Sequence, residues 1–107
     1  MKLTELSPRW IHPNLFVFYC PHCRKILLTC KNRAMSEQEQ HDIYEKEFGE
    51  DWNTLVNPSR PETAWTITGT MPADPQAAFM MDCTVTPSID ASPSGHWHGR
   101  IFNGDIV

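Results

Sequence analysis

Two short stretches of this 107-residue chain carry side chains able to grip a metal ion. The first is Cys20-Pro21-His22-Cys23, a Cys-x-x-Cys turn that lets two sulfurs face one point while turn amides remain free to hydrogen-bond them. The second is His96-Trp97-His98 near the C-terminal end. On an extended strand, residues two apart point to the same side. His96 and His98 are therefore expected to reach one ion together, with Trp97 packing behind them. Zinc favours four thiolate and imidazole ligands in a tetrahedron. The expected ligand set is Cys20, Cys23, His96 and His98, with Zn²⁺ as the ion.

Other residues compete for these roles. Cys-x-x-Cys also serves redox chemistry, but there it is set near a βαβ pattern, and none surrounds it here. Cys83 is the alternative to His96 as a ligand, although a free cysteine in a strand more often acts as a small core hydrophobe. Cys30, seven residues past Cys23, is read as core. His22, His12 and His41 are read as surface residues, and Trp10, Trp52 and Trp65 as core. Joining Cys23 to His96 closes a loop of about seventy residues, at an entropic cost that grows only slowly with length. An ion so placed would tie the two ends of the chain together, and the metal-free form would be largely unfolded.

The elements that must position these groups are legible in the flanking sequence. Leu15-Phe16-Val17-Phe18-Tyr19 and Ile26-Leu27-Leu28-Thr29-Cys30 are apolar runs on either side of the cysteine turn, which predicts a zinc-ribbon-like hairpin. Ser36-Glu37-Gln38-Glu39 is a capping-box pattern and Gly49 a C-terminal stop, so one helix is expected over 36–48. Ile43, Tyr44 and Phe48 give it only a narrow apolar stripe, so it is expected on the surface. Thr63–Thr68 alternates as a half-buried strand. Residues 71–76 read as a loop, and Cys83–Thr86 as a strand stopped by Pro87. Gly99–Phe102, an Asn103-Gly104 type I′ turn and Asp105–Val107 form a final hairpin. The expected fold is α+β: a small, mostly antiparallel β structure of zinc-ribbon-like hairpins with one surface helix. It forms a single zinc-binding domain over 1–107, with residues 31–62 as a helical insertion.

Composition narrows the class. Forty per cent of residues are hydrophobic and 21% charged, a balance that fits a globular chain. No apolar window reaches the roughly 18 residues needed to span a bilayer, so no membrane partner is expected. Residues 1–9 lack the apolar core of a signal peptide, which points to the cytoplasm, where thiols stay reduced. Residues 1–34 hold six Lys/Arg against one acid, whereas 35–62 hold two against eight and 63–107 one against four. The net charge of −4 disfavours general binding to phosphate backbones, while the basic N-terminal third keeps a nucleic-acid partner open.

Trp65 with Thr68-Gly69, then Thr84-Val85-Thr86-Pro87-Ser88-Ile89, then Trp97-His98-Gly99 and Asn103-Gly104 resemble a family of small phage and bacterial proteins. Their functions are unassigned, and they are often mislabelled ammonia-monooxygenase-like. The resemblance covers 15–30 and 63–107. It implies metal-ligand positions at Cys20, Cys23 and His98, with His96 where that family tends to carry cysteine. It also implies a phage or mobile-element origin, hence a host-cell cytoplasm, and supplies no activity.

Three functions follow as expectations. The first is a non-enzymatic protein-binding module built on structural zinc and directed at a host or defence protein, with the acidic helix imitating nucleic-acid charge. The second is a zinc-ribbon nucleic-acid-binding protein, presenting Arg24, Lys25, Lys31 and Arg33 beside Phe16, Phe18 and Tyr19. The third is a zinc-dependent hydrolase with Asp82 or Asp90 as base. That chemistry needs an open coordination position, and no His-Glu-x-x-His or deaminase motif accompanies these residues.

Overall fold

The expected N-terminal hairpin forms as the core of a first sheet. Two strands, β2 (Leu15–Tyr19) and β3 (Leu27–Lys31), pair antiparallel in unbroken register from Leu15 opposite Lys31 to Tyr19 opposite Leu27. Runs rich in β-branched and aromatic residues favour a pleated surface buried on both faces, and here both faces are covered. The computed structural model describes residues 1–74, 76 and 82–107.

Two further strands extend this sheet. The antiparallel β1 (Arg9–His12) flanks β2, and β4 (Val56–Asn57) lies parallel to β3, giving the order β1-β2-β3-β4. Neither has a sequence signature of its own. β1 is four residues between Pro8 and Pro13, and β4 is two residues that the rest of the fold delivers to an edge.

A second sheet follows the order β5-β6-β7-β8 and is antiparallel throughout. Its strands are β5 (Thr66–Thr68), β6 (Thr84–Asp90), β7 (His98–Phe102) and β8 (Asp105–Ile106). The last hairpin turns at Asn103 and Gly104, with φ of 50° and 81°, as a type I′ turn demands. Two expectations need correction. The Thr63–Thr68 strand contracts to β5, because Trp65 is drawn towards the first sheet, its amide donating to the Lys31 carbonyl at 2.7 Å. Pro87 does not stop β6. The pairing with β7 shifts register between Val85 and Ile89, an irregularity where the missing proline N–H does not break a ladder bond.

The one α-helix among the described residues, α1 (Glu37–Phe48), starts and ends where its caps predict. The Ser36 hydroxyl accepts from the Glu39 amide at 3.1 Å, and Gly49 closes the other end at φ 87°. The helix is bound more closely than its narrow stripe suggests. Tyr44 and Gln40 are both buried, and the Tyr44 hydroxyl donates to Gln40 Oε1 at 2.8 Å. Gln40 Nε2 in turn donates to the Ser59 carbonyl at 3.1 Å. Residues 31–62 thus supply Met35, Tyr44 and Val56 to a core that covers one face of the first sheet with Leu15, Val17 and Leu27. The other face packs against the second sheet. Phe16, Phe18, Cys20, Leu28 and Cys30 meet Trp65, Val85, Ile89, Trp97 and Ile101 in a shared core. Among the described residues the result is an α+β fold of one α-helix and two small, mostly antiparallel sheets.

Candidate metal centre

The cysteine turn at the end of β2 is built by its own backbone. The Cys20 amide donates to the Ile26 carbonyl at 2.8 Å, and the Arg24 amide returns to the Cys20 carbonyl at 2.8 Å. Arg24 adopts a left-handed φ of 55° to complete the turn. Cys20 is fully buried, whereas Cys23 is half-buried. The Lys25 amide, donating towards the Cys23 sulfur, is the largest influence holding that thiol below its ordinary range. Burial opposes it, and the Ile26 amide and the Cys20 side chain assist. A sulfur ringed by amides is prepared for the thiolate form that metals bind.

His96 arrives from the second sheet. It sits in the loop between β6 and β7, fixed by its amide donating to the Ala91 carbonyl at 3.0 Å and by Ala91 donating to the Trp97 carbonyl at 2.9 Å. Trp97 is buried and meets Phe18 edge-on at 6.1 Å, so the residue beside His96 is anchored on the strand that leads to Cys20. The ligand atoms of Cys20, Cys23 and His96 all lie within 4.8 Å of one another, and Cys23 Sγ is 3.8 Å from His96 Nδ1. A tetrahedral ion with bonds of about 2.3 Å to sulfur and 2.0 Å to nitrogen sets its ligand atoms roughly 3.5–3.8 Å apart. The cluster therefore needs only a small contraction to hold a metal ion. Its Cys23 and His96 are 73 residues apart in sequence, and the cluster links the first sheet to the second.

His98 is placed elsewhere. The same-face rule holds within a strand, but β7 begins only at His98, and His96 belongs to the turned loop before it. The His98 side chain is 55% exposed, with Nδ1 3.9 Å from the Asp90 carboxylate. The structure thus brings three of the four expected ligands together and sets the fourth on a neighbouring surface. Cys83 and Cys30 are both buried in the core, where burial pushes the Cys83 thiol up to about 11 and Cys30 well above its ordinary value. Neither joins the cluster among the described residues.

The remaining candidates lie outside the cluster. His22 is exposed; His12 accepts the Asn14 amide at 3.1 Å through Nδ1; His41 packs against Trp52 with ring centres 4.8 Å apart and planes inclined at 41°. Trp65 is buried, while Trp10 and Trp52 pack half-buried on the two cores. Asp82 accepts the Thr70 amide at 2.7 Å, and Asp90 accepts the Ser92 amide at 2.9 Å and hydroxyl at 2.5 Å. Both carboxylates hold turns outside the Cys/His cluster.

The expected basic, aromatic face of the first sheet is also rearranged. Phe16 and Phe18 are fully buried. Lys31 is buried as well, donating to Ser59 Oγ at 2.6 Å and the Arg60 carbonyl at 2.8 Å, with the Trp65 ring 5.8 Å away. Nothing in its local sequence signals this, because the acceptors come from a distant loop. Arg33 pairs with Glu39 and Lys2 with Asp105. Among the described residues, no helix is long and apolar enough to cross a membrane. Comparison with protein families, characterised proteins and solved structures finds no match to this chain.

Proposed function

We propose that this protein is a non-enzymatic protein-binding module whose two sheets are stapled by a structural zinc ion. The convergence of Cys20, Cys23 and His96 within 4.8 Å carries the reading. Two sulfurs and an imidazole nitrogen suit zinc among the abundant divalent ions. The position of the cluster supports a structural role, because it joins the turn after β2 to the loop before β7 and so closes 73 residues of chain. Ligands held on both sheets make metal binding part of folding.

The surface favours a protein partner over nucleic acid. Of the six basic residues in 1–34, Lys31 is buried and Lys2 and Arg33 are paired with acids. The outer side of α1 and the turn after it expose Glu45, Glu47, Glu50 and Asp51. A host or defence protein with a basic surface is the partner this arrangement suits.

The zinc staple is tested by removing the metal with a chelator and following near-UV circular dichroism, to which buried Trp97 contributes. Loss of that signal on chelation and its return with zinc are expected; an unchanged spectrum and melting curve in verified metal-free protein would overturn the staple. The binding role is tested by affinity capture with wild type and with a Glu45→Lys, Glu47→Lys, Glu50→Lys variant. A partner lost from the variant supports the role, and no capture, or equal capture, removes it.

A further inference from the structure

A cleft of about 320 Å³ opens between the two sheets, away from the cysteine turn. Leu28, Trp65 and Ile89 line its apolar part. Trp65 also ties its sides together, its indole N–H donating to the Ser88 carbonyl at 3.3 Å and its amide to the Lys31 carbonyl at 2.7 Å. The volume falls at the lower end of the range of small-molecule sites, which combine an apolar lining with a few placed polar groups.

Two opposite charges line this cleft from opposite sheets. Arg60 follows β4, and its backbone is pinned by its carbonyl accepting from both Lys31 Nζ at 2.8 Å and the Thr63 amide at 3.1 Å. Asp90 ends β6, and its Oδ1 accepts from the Ser92 amide and hydroxyl with His98 Nδ1 3.9 Å away, while Oδ2 has no hydrogen bond among the described residues. The two side chains form no ion pair with each other among the described residues. The Asp90 carboxyl is held below its ordinary range by the Ser92 hydroxyl and amide, against its burial, then by His98, with Arg60 the smallest contribution. A separation beyond ion-pair contact, over an apolar floor, leaves room for a molecule that carries both charges.

We propose that the cleft binds a small zwitterion of the α-amino-acid class, its carboxylate on Arg60, its ammonium on Asp90 Oδ2 and an aliphatic side chain against Trp65 and Ile89. Guanidinium and carboxylate each form charge-assisted hydrogen bonds that an uncharged ligand end cannot match. None of the three metal-site residues lines the cleft, so a variant that loses zwitterion binding while keeping its metal separates the two readings.

The test is titration of the ¹⁵N-labelled, metal-loaded protein with L-leucine, N-acetyl-L-leucine and L-leucinamide, following amide shifts. L-Leucine is expected to shift Thr29 and the 88–94 segment saturably. Each blocked analogue is expected to bind about tenfold more weakly or worse. Arg60→Gln and Asp90→Asn should weaken L-leucine to a similar degree with metal content unchanged; Asn retains the oxygen that Ser92 needs. No saturable shift with about 10 mM L-leucine, well above the millimolar range of weak ligands, would overturn the proposal. So would blocked analogues binding as tightly as L-leucine, or variants binding it as tightly as wild type.

Discussion

Replacing Gly99 by alanine puts the packing that holds the His96 loop under direct strain. Gly99 lies in β7 without the positive φ found at Gly95 and Gly104, so alanine meets no backbone penalty there. The penalty is steric. An added Cβ would stand 2.6 Å from Trp97 Cε2 and 2.7 Å from the Val107 carbonyl oxygen, and closer still to Trp97 Cζ2. Real contacts of this kind stay beyond 3.0 Å. Neither neighbour yields freely, since Trp97 is 6% exposed against Phe18, and Val107 exchanges two 2.9 Å hydrogen bonds with Arg100. Overpacking of this kind costs about 1–3 kcal/mol. For a domain of this size each kcal/mol lowers the melting temperature by about 4–8 °C.

Gly95→Ala is the matched control. Gly95 has φ +80° and open space around the Cβ position, so only the left-handed backbone is penalised, at about 1 kcal/mol. Urea unfolding of both variants at one fixed metal concentration decides the matter, since bound metal shifts apparent stability. Gly99→Ala is expected to be the more damaging and to weaken metal binding through the displaced Trp97-His96 segment. A Gly99→Ala protein within about 0.5 kcal/mol of wild type, or one less affected than Gly95→Ala, would refute the steric argument.

Three other outcomes follow from particular contacts. Tyr44→Phe should cost about 1–2 kcal/mol in chemical denaturation, because Gln40 Oε1 loses its buried donor, and a neutral result would contradict that bond. Ser92→Ala should raise the Asp90 pKa towards the ordinary carboxylate range in an NMR titration, since the Ser92 hydroxyl is the main cause of its depression. A carboxyl depressed in the folded state stabilises fully above its unfolded pKa, and that contribution fades as pH falls through the folded value; the alanine variant should lose less on acidification. His98→Ala should keep its full metal content by elemental analysis, because that side chain lies on Asp90 and not on the cysteines; loss of metal would return His98 to the ligand set.

Local signals proved readable wherever the chain settles its own conformation. The cysteine turn with its apolar flanks, the Ser36 and Gly49 caps and the Asn103-Gly104 turn all appear where sequence places them. What escaped depends on partners distant in the chain. The two residues of β4 are a strand because β3 is beside them, and Lys31 is buried because Ser59 and Arg60 meet its ammonium. The histidine pair illustrates the same divide. Residue spacing assigns His96 and His98 to one face only if both lie in one strand, yet the Ala91–Trp97 hydrogen bonds turn His96 out of that strand and towards the sulfurs. The cleft between the sheets is the extreme case, since Arg60 and Asp90 belong to segments with no sequence relation.

X-ray absorption at the zinc edge of the purified, zinc-loaded protein reads the ligand shell itself. One zinc per chain is expected, with two sulfurs at about 2.3 Å and at least one imidazole nitrogen at about 2.0–2.1 Å. Cys20→Ser is expected to remove one sulfur from the shell and His96→Ala the imidazole contribution. A shell without sulfur, or one unchanged by both substitutions, would contradict the Cys20, Cys23 and His96 site.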